Sequence, residues 1–341
     1  MNLDLVLASR ASRLAFGISE SLGGARLSIL IFHRVLALPD PLLPGEVDAK
    51  QFDRLMRLVA RAFNVLTLGE AIAHLVRGCL PPRSLVITFD DGYADNARVA
   101  LPILRQHGLK ATLFVSTGFL NGGRMWNDTV IEALRNATVS HADLGEFGLE
   151  SQSLATLADR RAAMNALLPR IKYRPLAERE TALRTLIARL KPSSLPDDLM
   201  MSSDQVRQLR GAGMEIGAHT VNHPILTSLP AAQAWNEIVQ GREQLAATID
   251  HPVDVMAYPN GVPGRDFDAT HVEMLKRMGF RGAVTTAPGV ARVGDDPFQL
   301  PRFSPWDRPL WRWAARLLLN QRRIHFDSVR AGEASGLAPG D

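Results

Sequence analysis

Apolar runs of strand length recur along the chain, with helix-like stretches between them. The runs are Ser28 to Val35, Asn64 to Leu66, Leu85 to Phe89, Ala111 to Ser116, Glu215 to His219, Val253 to Tyr258, Gly282 to Thr285 and Phe298 to Phe303. They are rich in Val, Ile, Leu and Phe and lack strict alternation, the pattern of strands covered on both faces. Thr67-x-x-Glu70 has capping-box spacing ahead of Ala71 to Val76. Ser202-x-x-Gln205 repeats it ahead of Val206 to Leu209, and Gly211 and Gly213 stop that helix. Strands alternating with helices predict a parallel α/β sheet.

Two stretches depart from this rhythm. From Trp126 to Met200 the pattern is helical, over Asp128 to Leu134, Ser153 to Leu168 and Leu176 to Leu190, with Arg, Glu and Ala dominant. This predicts a helical insertion between two strands, lying over or beside a site mouth or projecting into solvent. From Pro305 to Ile324, Arg308, Arg312, Arg316, Asn320 and Arg323 form one polar stripe, while Leu310, Trp313, Leu317 and Leu318 lie off it. Such a helix either packs on its own sheet or lies on an anionic membrane surface. A peripheral membrane contact through residues 308–324 is therefore open. The Gly- and Pro-containing end, Ala331 to Asp341, is expected to be disordered.

Composition narrows the picture only a little. The 341 residues are 46% hydrophobic and 22% charged, an ordinary globular balance. The formal charge of +4 gives no case for nucleic acid. The single cysteine, Cys79, excludes an intrachain disulfide. No run approaches the roughly 20 apolar residues that span a bilayer. Arg10, Arg13, Ser19 and Glu20 interrupt the N-terminal stretch, so no signal peptide is read there and a cytoplasmic protein is expected.

The chemistry lies where two of the strand runs end. Ser84-Leu85-Val86-Ile87 leads into Thr88-Phe89-Asp90-Asp91-Gly92, and Met214-Glu215-Ile216-Gly217-Ala218 leads into His219-Thr220-Val221-Asn222-His223. Each alone reads as a turn or a loop. Together they offer two carboxylates and two imidazoles, enough for a metal site with a base beside it.

This pairing resembles the polysaccharide deacetylase family, carbohydrate esterases whose shared region is the NodB homology domain. Ala257-Tyr258-Pro259-Asn260-Gly261 resembles the family's third motif, and the similarity runs from about Ile29 to Asp307 with a divergent middle. The resemblance implies a deformed (β/α) barrel of about seven strands. Residues 1–83 would hold an N-terminal segment and the first strand. Residues 84–307 would form the barrel, with the insertion at about 124–200, and 308–341 the amphipathic helix and tail. It implies a hydrolase that removes N-acetyl groups from a carbohydrate such as a precursor of an exopolysaccharide or surface glycan. A hydrolase of another non-peptide C–N bond and a glycan-binding pseudoenzyme are the alternatives.

The resemblance also implies roles. Asp91, His219 and His223 become ligands of a divalent metal, zinc before other transition metals. Asp90 becomes the general base, and backbone N–H near Tyr258, with Asn260, the oxyanion donor. The family's Arg that pairs with the base falls on Ala257 here, so Arg302, in Gln299-Leu300-Pro301-Arg302-Phe303, is the candidate replacement. For the general acid, His33 at the end of the first strand is preferred over the late His325. Asp128 could reach substrate or cap a helix.

Overall fold

The computed structural model describes residues 3–305 and 307–330. The disorder expected at 331–341 therefore concerns residues outside those described. Seven strands form the main sheet. They are β1 (Leu27–Phe32), β2 (Asn64–Leu66), β3 (Ser84–Phe89), β4 (Thr112–Val115), β5 (Glu215–Ala218), β6 (Val255–Ala257) and β7 (Gly282–Val284). All pairs within it are parallel, in the order β1-β3-β4-β5-β6-β7, with β2 paired to the start of β3.

Helices cover the outside of the curled sheet: α1 (Leu3–Gly23), α2 (Ala49–Ala62), α3 (Leu68–Val76) and α4 (Leu101–Gln106) come early in the chain. Then come α5 (Trp126–Arg135), α6 (Leu157–Lys172), α7 (Leu176–Leu190), α8 (Ser203–Gly211), α9 (Ala231–Ile249), α10 (Ala269–Arg277) and α11 (Leu310–Asn320). Thr67 and Ser202 cap α3 and α8 in reciprocal capping boxes with Glu70 and Gln205. Two faces of buried residues result, one under α2, α4, α8 and α9 and one under α3. Because β3 is buried along its whole length, its apolar run shows no alternation.

The run Phe298 to Phe303 is not a strand of the ladder. Pro297 and Pro301 carry no N–H and interrupt any regular pairing, leaving a single bridge from Leu300 to Val284. The segment instead forms a seam. Leu300 N–H donates to Ala283 O at 3.0 Å, Leu300 O accepts from Thr285 N–H at 2.9 Å, and Arg302 N–H donates to Ala287 O at 3.0 Å. On its other side Phe303 N–H reaches Ile29 at 2.9 Å, and Ser304 Oγ accepts from Ile31 N–H at 2.8 Å. The seam thus spans from β7 to β1 and closes the sheet.

The insertion between β4 and β5 holds α5, α6 and α7 around its own core, which includes Val130, Leu134, Leu167, Ile171, Leu186 and Leu190. Helix α6 starts later than its periodicity suggests, because Thr156 and Asp159 form a capping box and Gln152–Ser153 pairs with His141–Ala142. It also continues past Leu168, carrying Pro169 within its last turn.

Helix α11 packs on α1, burying Trp313 and Leu317. Asn320, which the sequence pattern puts in a polar stripe, is buried as well and donates to Gly289 O at 2.9 Å. No helix among the described residues is long and apolar enough to cross a membrane.

Candidate functional site

Asp90 and Asp91 leave the C-terminal end of β3, and His219 leaves the C-terminal end of β5 two strands away. Parallel strands deliver their ends to one face, so the two motifs meet. The turns that aim them are strained. Asp91, Thr220, His223 and Asn260 all adopt left-handed backbone, with φ of 74°, 64°, 51° and 60°. Non-glycine residues held there mark functional turns. Gly241 of α9 lets that helix touch the histidine loop, since a Cβ there would sit 2.8 Å from the Thr220 carbonyl carbon.

The Nε2 atoms of His219 and His223 each lie 3.4 Å from Asp91 Oδ1, and the rings are 4.7 Å apart. His219 Nδ1 donates to Ala257 O at 2.7 Å, which leaves Nε2 with its lone pair toward Asp91. Asp91 Oδ1 is buried and has no hydrogen-bond partner. Electron pairs facing each other at this range repel unless a cation lies among them. Two imidazole nitrogens and one carboxylate oxygen, all within 4.8 Å of one another, fit a divalent metal of the zinc type.

Burial and mutual charge shift all three groups. Burial favours the neutral form of Asp91, but the two histidines outweigh it and hold its carboxyl well below the usual range. His223 is pushed down to about 3, first by burial and then by His219 against the pull of Asp91, which favours its neutral form. At His219 burial is overcome by Asp91 and Asp90, and its pKa rises.

Asp90 meets Arg302 in a bidentate pair, with Nη1 to Oδ1 at 2.6 Å and Nη2 to Oδ2 at 2.7 Å. The guanidinium also donates to Thr285 O at 2.8 Å and Thr88 Oγ1 at 3.2 Å. Burial works against the Asp90 charge, yet Arg302 holds the carboxyl below its ordinary value. The expected separation of base and partner is thus bridged from the seam, not from β6.

A cleft of about 380 Å³ opens over these groups. His33, Asp90, Asp91, His219, His223 and Asn260 line its barrel side. Trp126, Asn127, Leu168, Lys172 and Tyr173 line the other, so the insertion forms the mouth of the site. His33 follows β1, and Asn96 fixes its backbone by donating to His33 O at 2.9 Å.

One expectation needs correction. Tyr258 does not line the cleft. Its ring stacks on Phe267 with centroids 3.8 Å apart, its hydroxyl donates to Phe298 O, and its N–H is taken by Val284 O at 3.3 Å. The pairing of β6 with β7 uses that N–H as part of the ladder. The free donor is two residues on. Asn260 lines the cleft, and its N–H meets no acceptor among the described residues. Asp128 does not line the cleft and is no cap, since Met125 holds that position. It accepts from Tyr93 Oη at 3.1 Å, and burial drives its pKa up to about 7. His325 lies exposed and does not line the cleft.

Sequence reasoning missed Glu237 of α9. Its carboxylate accepts from the N–H groups of Val221 and Asn222 at 3.0 and 2.8 Å and from the Asn222 amide at 2.7 Å, clamping the loop between the two histidines. A glutamate on an amphipathic helix carries no signal of this.

Comparison with known proteins places this geometry. The family model described as polysaccharide deacetylase matches residues 77–283. The putative polysaccharide deacetylase YxkH of Bacillus subtilis (strain 168) is 21% identical over 280 residues, covering 82% of this chain and 71% of its own. Among solved structures, the deacetylase PplD of Streptococcus pyogenes, in complex with acetate, superposes with a TM-score of 0.55 at 20% identity, over 82% of this chain and 92% of that one. IcaB from Ammonifex degensii gives 0.54 at 20% identity, over 85% and 97%. At these identities the two structures speak for the fold.

Proposed function

This chain belongs to the polysaccharide deacetylase family, and from that premise we propose that it is a metal-dependent hydrolase removing N-acetyl groups from a carbohydrate. The observation that carries the reading is the convergence of Asp91, His219 and His223 beside the Asp90–Arg302 pair at one end of the barrel. A divalent metal, zinc by the donor set, held by those three residues would polarise the acyl oxygen and make water acidic enough to attack.

The chain's own groups account for the proton movements. Asp90, kept ionised and oriented by Arg302, takes a proton from the water whose oxygen bonds to the acetamido carbon. The Asn260 N–H faces the cleft and donates to the oxyanion that develops. When the C–N bond breaks, the nitrogen needs a proton. His33, on the same cleft, gives it, and acetate and a free amine leave. Trp126 and Tyr173 offer aromatic faces to the sugar.

The test is acetate release from N-acetylated oligosaccharides. Activity should vanish with a chelator and return with zinc or a neighbouring metal, and Asp91→Ala should lose both metal and turnover. Bound sugar without acetate release would favour a binding protein, and ammonia or an amine released from imides would favour another C–N bond.

We also infer a peripheral contact with anionic membrane through residues 308–324. Trp311 and Leu319 are 66% and 60% exposed beside Arg312, a solvent-facing apolar and basic strip on α11. A cytoplasmic location remains part of the same proposal.

A further inference from the structure

Arg179, in the first turn of α7, is only 6% exposed. Among the described residues no carboxylate pairs with its guanidinium and no acceptor takes a hydrogen bond from it. Its recorded neighbour is the Trp126 ring, 5.5 Å from Cζ. Glu180 supplies attraction through space only. An arginine keeps its proton, so a guanidinium held in a cleft wall without a carboxylate beside it favours an incoming anion.

Its surroundings point to where that anion comes from. Arg179 lines a second cleft of about 240 Å³, whose wall includes Pro224 and Ile225, directly after the ligand His223. This cleft and the one over the metal ligands share Lys172 and Tyr173. Lys172 makes no hydrogen bond or ion pair among the described residues; its amine lies 5.4 Å from the Tyr173 ring. Arg265 stands over the same ring at 5.2 Å, and its partner Asp266, at 3.5 Å, is the nearby acid. The two clefts therefore meet at an aromatic ring flanked by Lys172 and Arg265, and Arg179, without an ion-pair partner among the described residues, lines the second of them.

We propose that Arg179 and Lys172 form an anion subsite beside the reaction cleft, so that the substrate is an acidic carbohydrate. It carries a carboxylate or phosphate near the N-acetylated sugar. The planar guanidinium fork suits the paired oxygens of either group. The substrate half of this inference rests on the deacetylase reading, whereas the anion binding does not.

Two measurements test it. The first is kcat/KM for acetate release from three substrates: a neutral N-acetylglucosamine oligomer, an oligosaccharide alternating N-acetylglucosamine with glucuronic acid, and N-acetylglucosamine 1-phosphate. Arg179→Met should lower kcat/KM at least tenfold on an acidic substrate and less than threefold on the neutral one. The acidic substrate affected distinguishes carboxylate from phosphate. Arg179→Lys should recover part of the loss. The second is melting temperature against added glucuronate and inorganic phosphate. One of these should raise the wild-type value more than that of Arg179→Met, whose own melting temperature should equal or exceed wild type. Equal losses on neutral and acidic substrates would overturn the subsite, as would wild-type melting indifferent to both anions. Should Arg179→Met fail to fold, Lys172→Met and the wild-type anion titration decide. If no substrate yields acetate, the deacetylase reading falls while the anion titration still judges the subsite.

Discussion

Arg302 and Arg179 are buried to nearly the same depth, 1% and 6% exposed, yet they are opposite cases. Arg302 spends its guanidinium on Asp90, Thr285 and Thr88, every contact inside the protein. Arg179 has an aromatic face and no acceptor. The first is an internal fixture of the barrel, complete without ligand. The second is incomplete, and it sits in the insertion that forms the cleft mouth. The Asp90–Arg302 pair on the barrel side is electrostatically closed, whereas Arg179 on the insertion side is open for a ligand to finish.

The comparison is broken most forcefully by removing Arg302. Arg302→Met leaves the Asp90 carboxylate buried without its counter-charge, and unfolding in urea should show a loss of about 3–5 kcal/mol. Turnover should fall by roughly 10²–10³. Burial would then act on Asp90 unopposed, so the acid limb of any residual pH–rate profile should move to higher pH. An unchanged profile would mean that Arg302 does not set the charge of Asp90.

Asp90→Asn makes the reverse cut and turns Arg302 into a second unpaired arginine. Acetate release should drop by roughly 10²–10⁴ with metal content retained, measured by elemental analysis. Joint loss of metal would make Asp90 a ligand.

Asp128 offers the mirror case, a buried acid with its Oδ2 unpartnered. Its folded pKa of about 7 stands above the ordinary 3.8, so folding favours the neutral form. The stabilisation is full below the unfolded value and is lost as pH rises through 7. Asp128→Asn should match wild type in melting temperature near pH 4 and exceed it by a few degrees at pH 8. Parallel curves would show that Asp128 carries no such burden.

Trp311 and Arg312 of α11 should matter least to catalysis, because both are exposed to solvent. Trp311→Ser with Arg312→Ser should weaken sedimentation with phosphatidylglycerol vesicles several-fold and leave hydrolysis of a soluble oligosaccharide unaltered. Equal sedimentation would remove the membrane contact.

Why these features differ in legibility follows from their physics. Asp90, Asp91, His219 and His223 are readable because an apolar run ending in polar residues marks a strand end, and strand ends of a parallel sheet share a face. Arg302 is readable because Ala257 leaves the base without its usual partner. Asn260 is obscured because the choice between its N–H and that of Tyr258 depends on the pairing of β6 with β7. Arg179 is hidden altogether. It stands in a run of Arg, Glu and Ala that looks solvent-facing, and only the packing of α7 against α5 beside Trp126 buries it. The proline-bearing seam mimics a strand in composition while lacking the N–H groups to be one.

The seam also sets an order of assembly. The segments carrying Asp90, Asp91, His219 and His223 leave the ribosome well before residue 302. A nascent barrel can pair those strands, yet until the seam emerges Asp90 has no guanidinium and β1 and β7 keep unsatisfied edges. Closure of the sheet and pairing of Asp90 therefore depend on the same late segment, so a chain stalled short of the seam would hold the Asp91, His219 and His223 cluster while Asp90 lacks its partner.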